Sequence, residues 1–178
     1  ANKLTIKYMQ TPVGELIVGA WKNQLCLCDW RYRKMRSSID KRIQDELDAS
    51  YEEGEDPFFE LVEEQFAAYF ESERTDFEIP LLLIGTDFQK QVWQELQRIP
   101  YGETLSYLSL SKKMGDEKAI RAVASANGAN AISIIVPCHR IIGTKGELVG
   151  YAGGLQAKKT LLKLENRGQR PEQLDLFE

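Results

Sequence analysis

The sequence predicts an α+β protein, in which a small N-terminal antiparallel sheet with a helix precedes a mostly helical C-terminal domain that contains a helix-turn-helix. Three short β-prone runs lie within the first 30 residues, and Gly14 and Asn23 separate them, which is typical of an antiparallel meander. Two short helical patterns are later joined by Gly115 and Asp116, the sequence form of a helix-turn-helix. The three β-prone runs cover residues 4–9, 14–21 and 24–30.

The composition is that of a globular protein. With 178 residues, 43% of them hydrophobic, the chain can bury a core, which excludes a disordered tail or a small disulfide scaffold. No apolar run approaches the roughly 20 residues that a membrane-spanning helix needs. The first residues lack the pattern of a secretion signal, and three cysteines are an odd number for a disulfide framework. We therefore expect a soluble, cytoplasmic protein.

The N-terminal domain, residues 1–80, shows no pattern that indicates chemistry. A helix is predicted around 38–48, followed by a Glu-rich loop up to Asp56. Pro57 then opens a stronger helix whose apolar residues recur at i, i+3, i+4, i+7 and i+8, as on a face that packs against a sheet. That predicted face consists of Phe58, Leu61, Val62, Gln65, Phe66, Tyr69 and Phe70.

The C-terminal domain, residues 86–166, begins with Thr86 or Asp87 as the N-cap of a helix that Pro100 ends. The helix-turn-helix follows, and a last helix covers 155–165. Many such helix pairs bind nothing, so the helix-turn-helix alone does not decide between a DNA-binding and a structural role. The two predicted helices of the motif are Ser106 to Met114 and about Glu117 to Ala126, and a flexible tail covers 167–178.

Charge is unevenly distributed along the chain. The net charge of −4 divides into −7 over residues 1–80 and +3 over residues 81–178, and the segment 112–145 alone carries +4. An acidic total argues against a nucleic-acid partner, whereas a basic segment favours one. A solvated surface without a partner is the alternative. The basic residues of the segment are Lys112, Lys113, Lys118, Arg121, Arg140 and Lys145.

The second helix of the motif has unusually small side chains. Lys118 and Arg121 project from a helix that is otherwise nearly bare of bulk, so its backbone can approach something large. Tight packing between helices is the alternative reason for small residues, but it does not explain the basic side chains. The small residues are Ala119, Ala122, Ala124, Ser125 and Ala126.

Cys138 and His139 are the candidate nucleophile and base. They follow the β-branched run 131–136, which is predicted to be a buried strand. A neighbouring imidazole promotes formation of the reactive thiolate. Adjacent side chains diverge on an extended chain, so a water is the plausible relay between them. An inert, buried cysteine is the alternative.

Glu165 is the candidate partner of His139. It shares one face of the last predicted helix with Leu155, Lys158, Leu161 and Leu162, and a carboxylate on such a face needs a partner. The alternative is that Glu165 lies in water at the helix end. The chain offers neither four zinc ligands nor a phosphate-binding Gly-rich loop, so we expect no metal and no cofactor.

Residues 86–165 resemble the catalytic domain of the O6-alkylguanine-DNA alkyltransferases, also called methylated-DNA–protein-cysteine methyltransferases. The shared blocks are residues 88–93 (FQKQVW), 99–107 (IPYGETLSY), 118–123 (KAIRAV), 137–143 (PCHRIIG) and 150–155 (GYAGGL). The resemblance implies an N-terminal domain with a ribonuclease H-like fold. It also implies irreversible, single-turnover transfer of an alkyl group from O6 of guanine in DNA to Cys138, with O4 of thymine as a second candidate substrate.

The resemblance further implies a role for individual residues. His139 takes the thiol proton through a water, Glu165 holds the imidazole, and Asn130 braces the turn before the site. Tyr107 donates to N3 of the leaving guanine and helps to rotate the nucleotide out of the stack, and Arg121 fills the resulting gap from a helix in the minor groove. The implied DNA-binding residues are Arg121, Tyr107, Lys118, Ala119, Ala122, Ser125 and Ala126.

The same resemblance implies a guanine pocket with one departure from some relatives. Ala152 stands where those relatives carry a serine, so a contact at this position must come from its backbone N–H. The implied pocket residues are Val136, Tyr151, Ala152, Gly153, Gly154 and Lys158. A module that binds alkylated DNA without repairing it, and a Cys-His hydrolase, are the competing functions.

The tail carries a second, shorter motif. It resembles the pentapeptide with which bacterial repair and replication proteins bind the DNA polymerase sliding clamp. The alternative is an amphipathic segment that folds back on the domain. We otherwise expect a monomer with double-stranded DNA as its partner and no membrane. The motif is Gln173, Leu174, Asp175, Leu176 and Phe177.

Overall fold

A computed structural model describes residues 3–166, and the chain divides between Gly85 and Thr86 into two compact units. The first unit contains a four-stranded sheet with two helices, and the second is mostly helical. The predicted α+β class is confirmed.

The sheet of the first unit has the order β3-β2-β1-β4. Strands β1 (Leu4–Thr11), β2 (Gly14–Trp21) and β3 (Gln24–Trp30) form the predicted antiparallel meander. The turn between β2 and β3 places Lys22 and Asn23 in the left-handed region, as a two-residue hairpin requires.

Two segments of the first unit differ from the sequence prediction. Strand β4 (Tyr51–Glu53) pairs in parallel with β1, where the sequence predicts a Glu-rich loop. Three residues are too few to show an alternating pattern. In the connector, the Leu25 N–H donates to the Pro80 carbonyl (2.8 Å) and the Leu82 N–H donates to the Leu25 carbonyl (2.9 Å). The connector therefore extends the sheet at β3.

The first unit also contains α1 (Arg36–Leu47) and α2 (Phe58–Phe70). The prediction of a helix after Pro57 is confirmed, but its buried face is rotated. Phe59 is buried, whereas Phe58, Leu61 and Phe70 of the predicted face are only half-buried. The buried face consists of Phe59, Val62, Gln65, Phe66 and Tyr69.

The first element of the second unit is α3 (Asp87–Leu96). A capping box between Thr86 and Gln89 stabilises its N-terminus. The remaining elements are β5 (Leu105–Ser106), α4 (Tyr107–Lys113), α5 (Ile120–Gly128), β6 (Ile141–Ile142) and α6 (Leu155–Glu165). The helix-turn-helix is confirmed: after α4, Gly115 adopts a positive φ of 88°, and a 3₁₀ turn over Glu117–Ala119 continues into α5.

The predicted strand over residues 131–136 is wrong. The segment is a tight turn in which the Val136 N–H donates to the Ile132 carbonyl (3.0 Å) and Ile134 has a positive φ of 73°. The Cys138–Arg140 segment that follows is a 3₁₀ turn. The β-branched composition of the run reflects burial, since all its residues except Ile135 are buried.

Among residues 3–166, no helix is long and apolar enough to cross a membrane.

Candidate active site and DNA-facing helix

A two-residue parallel pairing brings the Cys138–Arg140 turn beside helix α4. Leu105 pairs with Ile141 and Ser106 with Ile142. Tyr107 follows β5 directly, and the turn precedes β6 directly. The short sheet therefore holds the start of the helix-turn-helix next to the candidate nucleophile.

Asn130 closes the turn that leads to Cys138. Its side-chain amide donates to the Val136 carbonyl (2.9 Å), and its side-chain oxygen accepts from the Ile132 N–H (2.9 Å). The Cys138 N–H donates to the Val136 carbonyl (2.8 Å). With 2% of its surface exposed, Asn130 acts inside the protein and shapes the backbone before the thiol.

His139 and Glu165 form a fully buried pair. Nε2 of His139 lies 2.7 Å from Oε2 of Glu165, and the two residues are 0% and 1% exposed. Glu165 lies in the last turn of α6, where Leu161 and Leu162 are also buried. The alternative that Glu165 lies in water is therefore wrong. Leu155, predicted on the same face, is 50% exposed because it begins the helix.

Arg140 is the third member of this buried cluster. Its Nε donates to Oε1 of Glu165 (2.7 Å), its Nη2 donates to Oε2 (3.1 Å), and its Nη1 donates to the Ile99 carbonyl (2.7 Å). Arg140 is 7% exposed, so its assignment to the basic surface is wrong. The exposed cations of 112–145 are Lys112, Lys113, Lys118, Arg121 and Lys145.

The electrostatics of the cluster leave His139 neutral and Glu165 ionised. Burial lowers the pKa of His139 below its ordinary value of 6.5, although Glu165 opposes that shift. Burial would raise the pKa of Glu165, but His139 and Arg140 together hold it well below its usual range. Because the imidazole is neutral, the Arg140 guanidinium is the lasting positive charge beside the carboxylate.

The pairing also decides the imidazole tautomer. An ionised carboxylate only accepts hydrogen bonds, so Nε2 of His139 carries the proton and Nδ1 keeps a lone pair. Nδ1 is buried and has no hydrogen-bond partner among the described residues. His139 therefore presents an acceptor atom on the side opposite Glu165.

Tyr107 lies between the candidate nucleophile, Cys138, and the helix-turn-helix. The side-chain amide of Asn127, on α5, donates to the Tyr107 hydroxyl oxygen (3.3 Å). Burial raises the pKa of Tyr107, and the nearby Cys138 raises it further, whereas the Asn127 hydrogen bond lowers it. Tyr107 is therefore a neutral phenol at physiological pH, and its O–H is available as a donor.

Lys158 ties together the predicted pocket. Its ammonium group donates to the carbonyls of Ile141 and Val149, which joins β6 to the loop that leads into α6. It is fully buried, and burial lowers its pKa to about 8. Lys158 thus positions the loop backbone.

The rest of the predicted pocket lies at that loop and at the turn before the cysteine. Val136 is fully buried, and the Tyr151 ring lies 6.4 Å from the His139 ring, edge to face. Ala152 and Gly153 are half-buried. Gly154 adopts φ of 93°, which favours glycine, and its carbonyl accepts the first hydrogen bond of α6 from Lys158 N.

Helix α5 has one exposed and one buried face. Lys118, in the turn before the helix, is exposed with Arg121, Ala122 and Ser125, and Ala119 is half-buried. Ala126 is 2% exposed, and its carbonyl accepts from Nε1 of Trp93 (2.8 Å). The assignment of Ala126 to a DNA-contacting surface is therefore wrong, because this side of α5 packs against α3.

The sequence does not predict the place of two polar residues in the site. It groups Arg140 with the surface charges and assigns no role to Asn127. A signal existed for Asn127: it neighbours Ala126 and lies one turn after Val123, so it is a polar residue on the apolar face of α5. Within residues 3–166, no three His, Cys, Asp or Glu side chains are placed to hold a metal ion.

Two family models match the chain, one for each unit. Residues 4–83 match the ribonuclease-like domain of 6-O-methylguanine DNA methyltransferase, and residues 87–167 match its DNA-binding domain. Two curated relatives are named methylated-DNA–protein-cysteine methyltransferase. That of Methanosarcina acetivorans is 51% identical over 156 residues, 88% of this chain and 94% of the relative. That of Mycolicibacterium paratuberculosis is 54% identical over 115 residues, which are 65% of this chain and 69% of the relative.

A solved structure is similar over nearly the whole length. The Mycobacterium tuberculosis enzyme OGT, crystallised in complex with DNA, is 38% identical with a TM-score of 0.78, and the match covers 98% of this chain and 99% of that one. Together with the two family models, this similarity shows that the chain belongs to the 6-O-methylguanine DNA methyltransferase family.

Proposed function

We propose that the protein repairs DNA by transferring an alkyl group, such as methyl, from O6 of guanine to its own Cys138. The observation that carries the proposal is Cys138 beside a buried, neutral His139 that Glu165 holds at 2.7 Å. Membership in the methyltransferase family supplies the reaction class, a methylated-DNA–protein-cysteine S-methyltransferase.

In the reaction, Cys138 Sγ bonds to the alkyl carbon while the bond from that carbon to O6 of guanine breaks. The thiol proton passes through a water to Nδ1 of His139, the lone-pair nitrogen that faces away from Glu165. A thioether has no group that the site can expel, so Cys138 is consumed. The protein therefore acts once per molecule.

The leaving guanine needs a proton as the negative charge develops on its ring. We assign Tyr107 as the donor to N3. Asn127 donates to the Tyr107 hydroxyl oxygen, which leaves the phenolic proton free to point toward the base. The proton on His139 then replaces the one given up by Tyr107, so atoms and charges balance over one transfer.

DNA is proposed to lie along the exposed face of α5. The side chains there are small apart from Lys118 and Arg121, and a minor groove about 6 Å wide admits a helix only if its side chains are small. Arg121 fills the space of the extruded nucleotide. The thiol cannot reach O6 inside a duplex, and flipping a base costs a few kcal/mol. The related Mycobacterium tuberculosis OGT, crystallised with DNA, supports DNA as partner.

The guanine pocket is proposed to form between Val136 and the loop of Tyr151, Ala152 and Gly153, with Gly154 allowing its turn into α6. Lys158 keeps the loop in place through the carbonyls of Ile141 and Val149. Because Ala152 has no side-chain donor, only its backbone N–H can contact the substrate at this position.

Mass spectrometry of the intact protein tests the proposal. After mixing with excess O6-methylguanine duplex, we expect a gain of one methyl group per molecule, on the peptide that contains Cys138. Cys138→Ser should gain none. Cys26→Ala, which removes a buried thiol from the first unit, should still gain one.

Other outcomes distinguish the competing functions. An unmodified protein that still retains the alkylated duplex would identify a binding module without repair. Repeated turnover with an unmodified Cys138 would identify a Cys-His hydrolase. Transfer of the methyl group from an O4-methylthymine duplex to Cys138 is measured in the same way.

The tail motif remains a separate proposal, because Gln173, Leu174, Asp175, Leu176 and Phe177 lie outside the described residues. We propose that the protein is monomeric and cytoplasmic, and that it binds the sliding clamp through this motif. The double change of Leu176 and Phe177 to alanine should then abolish clamp binding. Undiminished binding of that variant to a purified clamp ring, measured by surface plasmon resonance, would contradict the motif.

A further inference from the structure

We propose that Arg140 is a positioning residue that sets the charge and tautomer of the His139–Glu165 pair, so that His139 can act as a base at neutral pH. The proposal deepens the alkyl-transfer function and rests on it. Arg140 acts through Glu165, because its guanidinium donates to that carboxylate and to the Ile99 carbonyl.

The guanidinium is held in a fixed geometry by three parts of the second unit. Its Nε and Nη2 donate to the two oxygens of Glu165 (2.7 and 3.1 Å), and its Nη1 donates to the Ile99 carbonyl (2.7 Å). It lies 5.8 Å from the Tyr101 ring centroid, and the Tyr101 hydroxyl donates to the Leu164 carbonyl (3.4 Å), next to Glu165. A bidentate contact with a buried carboxylate is stronger and more directional than a single one.

The charge balance of the pair explains why the arginine matters. Oε2 of Glu165 is shared between Nη2 of Arg140 and Nε2 of His139. A buried carboxylate without a counter-charge would attract a second proton to the imidazole. An imidazolium has protons on both nitrogens, so His139 could no longer accept the thiol proton at Nδ1. Arg140 opposes this attraction with the positive charge of its guanidinium.

Several other titratable groups face His139. Glu165 and Lys158 lie on α6, Cys138 belongs to the same turn, and the Tyr151 ring is 6.4 Å away. Tyr107 on α4 faces Cys138.

Among the cations, Arg140 and Lys158 both oppose protonation of His139. Burial lowers the pKa of Lys158 to about 8, so Lys158 loses its charge in the alkaline range. Arg140 differs from Lys158 in that its guanidinium contacts both oxygens of Glu165 directly.

The single histidine of the chain makes the proposal directly measurable. Nitrogen-15 NMR of the wild-type imidazole should show a neutral ring with the proton on Nε2, and titration should give a pKa below 6.5. A proton on Nδ1 at neutral pH, or a His139 pKa above 6.5, would overturn the proposal. Because this measurement uses the wild-type protein, it does not depend on the folding of a variant.

The effect on the reaction is measured with Arg140→Met and Arg140→Lys. Single-turnover alkylation of Cys138 by free O6-benzylguanine avoids any contribution from DNA. Removal of the guanidinium should move the midpoint of the pH–rate profile to higher pH, because the base form of His139 exists only above its pKa. The rate loss at about pH 6 should exceed that at about pH 8.5 by about threefold or more. Arg140→Lys should shift the midpoint less, because lysine keeps a positive charge but cannot form the bidentate contact with Glu165.

Arg33→Met is the matched control, since Arg33 holds the buried Asp29 of the first unit. It should lower the melting temperature without moving the pH midpoint. An Arg140→Met variant with the wild-type midpoint, or with the same rate loss at both pH values, would overturn the proposal. Failure of the wild-type protein to alkylate Cys138 would refute the proposed function, whereas the NMR titration would still report on the cluster.

Discussion

Among residues 3–166, each unit buries a carboxylate that arginine side chains bind, but only one of these two carboxylates also binds an imidazole. In the first unit, Asp29 is fully buried and accepts from Arg33 (3.2 Å) and Arg36 (3.1 Å). In the second, Glu165 is shared between Arg140 and His139. Arg33 and Arg36 bind Asp29 through guanidinium groups, and a guanidinium has no lone pair with which to accept a proton. A neutral imidazole can accept a proton and a guanidinium cannot, so the cluster that contains His139 is the one that could act as a base.

The cysteines show the same contrast. All three are buried. Burial raises the pKa of Cys26 to about 12 and raises that of Cys28 as well, so both remain thiols. Cys138 is as buried as they are but adjoins His139. Burial alone therefore does not distinguish the candidate nucleophile from the other two cysteines, whereas the adjacent imidazole does.

Replacing each buried carboxylate by its amide should give the largest difference between the two clusters. Asp29→Asn and Glu165→Gln both leave buried arginine without its charge partner, which costs about 3–5 kcal/mol of unfolding free energy. Only Glu165→Gln should also slow alkyl transfer, by about 10²- to 10⁴-fold, because the new amide can donate to Nε2 and favour the wrong tautomer of His139.

Denaturant titrations and single-turnover alkylation by free O6-benzylguanine measure the two effects separately. The rate is compared at a temperature where both variants are folded. A rate loss in Asp29→Asn as large as that in Glu165→Gln would mean that the two clusters do not differ as described.

A smaller effect should separate the DNA face from the reactive cluster inside the second unit. Arg121→Ala should slow repair of O6-methylguanine duplex by about tenfold or more, because base extrusion costs a few kcal/mol and the extruded base leaves a gap to fill. Reaction with the free base should change little, since nothing must be opened. Rates on both substrates, with the exposed Lys113→Ala as control, measure the difference. Equal loss on both substrates would contradict the role of Arg121.

Much of the fold could be predicted because its patterns are local. The meander, the helix after Pro57 and the helix-turn-helix depend on alternation, helical periodicity and turn residues, which a chain shows over a few neighbouring positions. The wrong predictions concern buried residues whose composition is also typical of a different structure or role. The run 131–136 is as β-branched as a strand but forms a turn that Asn130 closes, and Ala126 is small because α5 packs against α3.

The candidate nucleophile, its adjacent histidine and the family motifs can be predicted from the sequence alone, because contiguous residues carry them. Which charges lie on the surface and which lie in the site depends on tertiary contacts. Arg140 and Arg121 count equally in a net charge, but one is buried against Glu165, 25 positions along the chain, and the other is exposed. The state of His139 depends on that distant pairing, because burial and an ion pair formed across the fold shift its proton affinity.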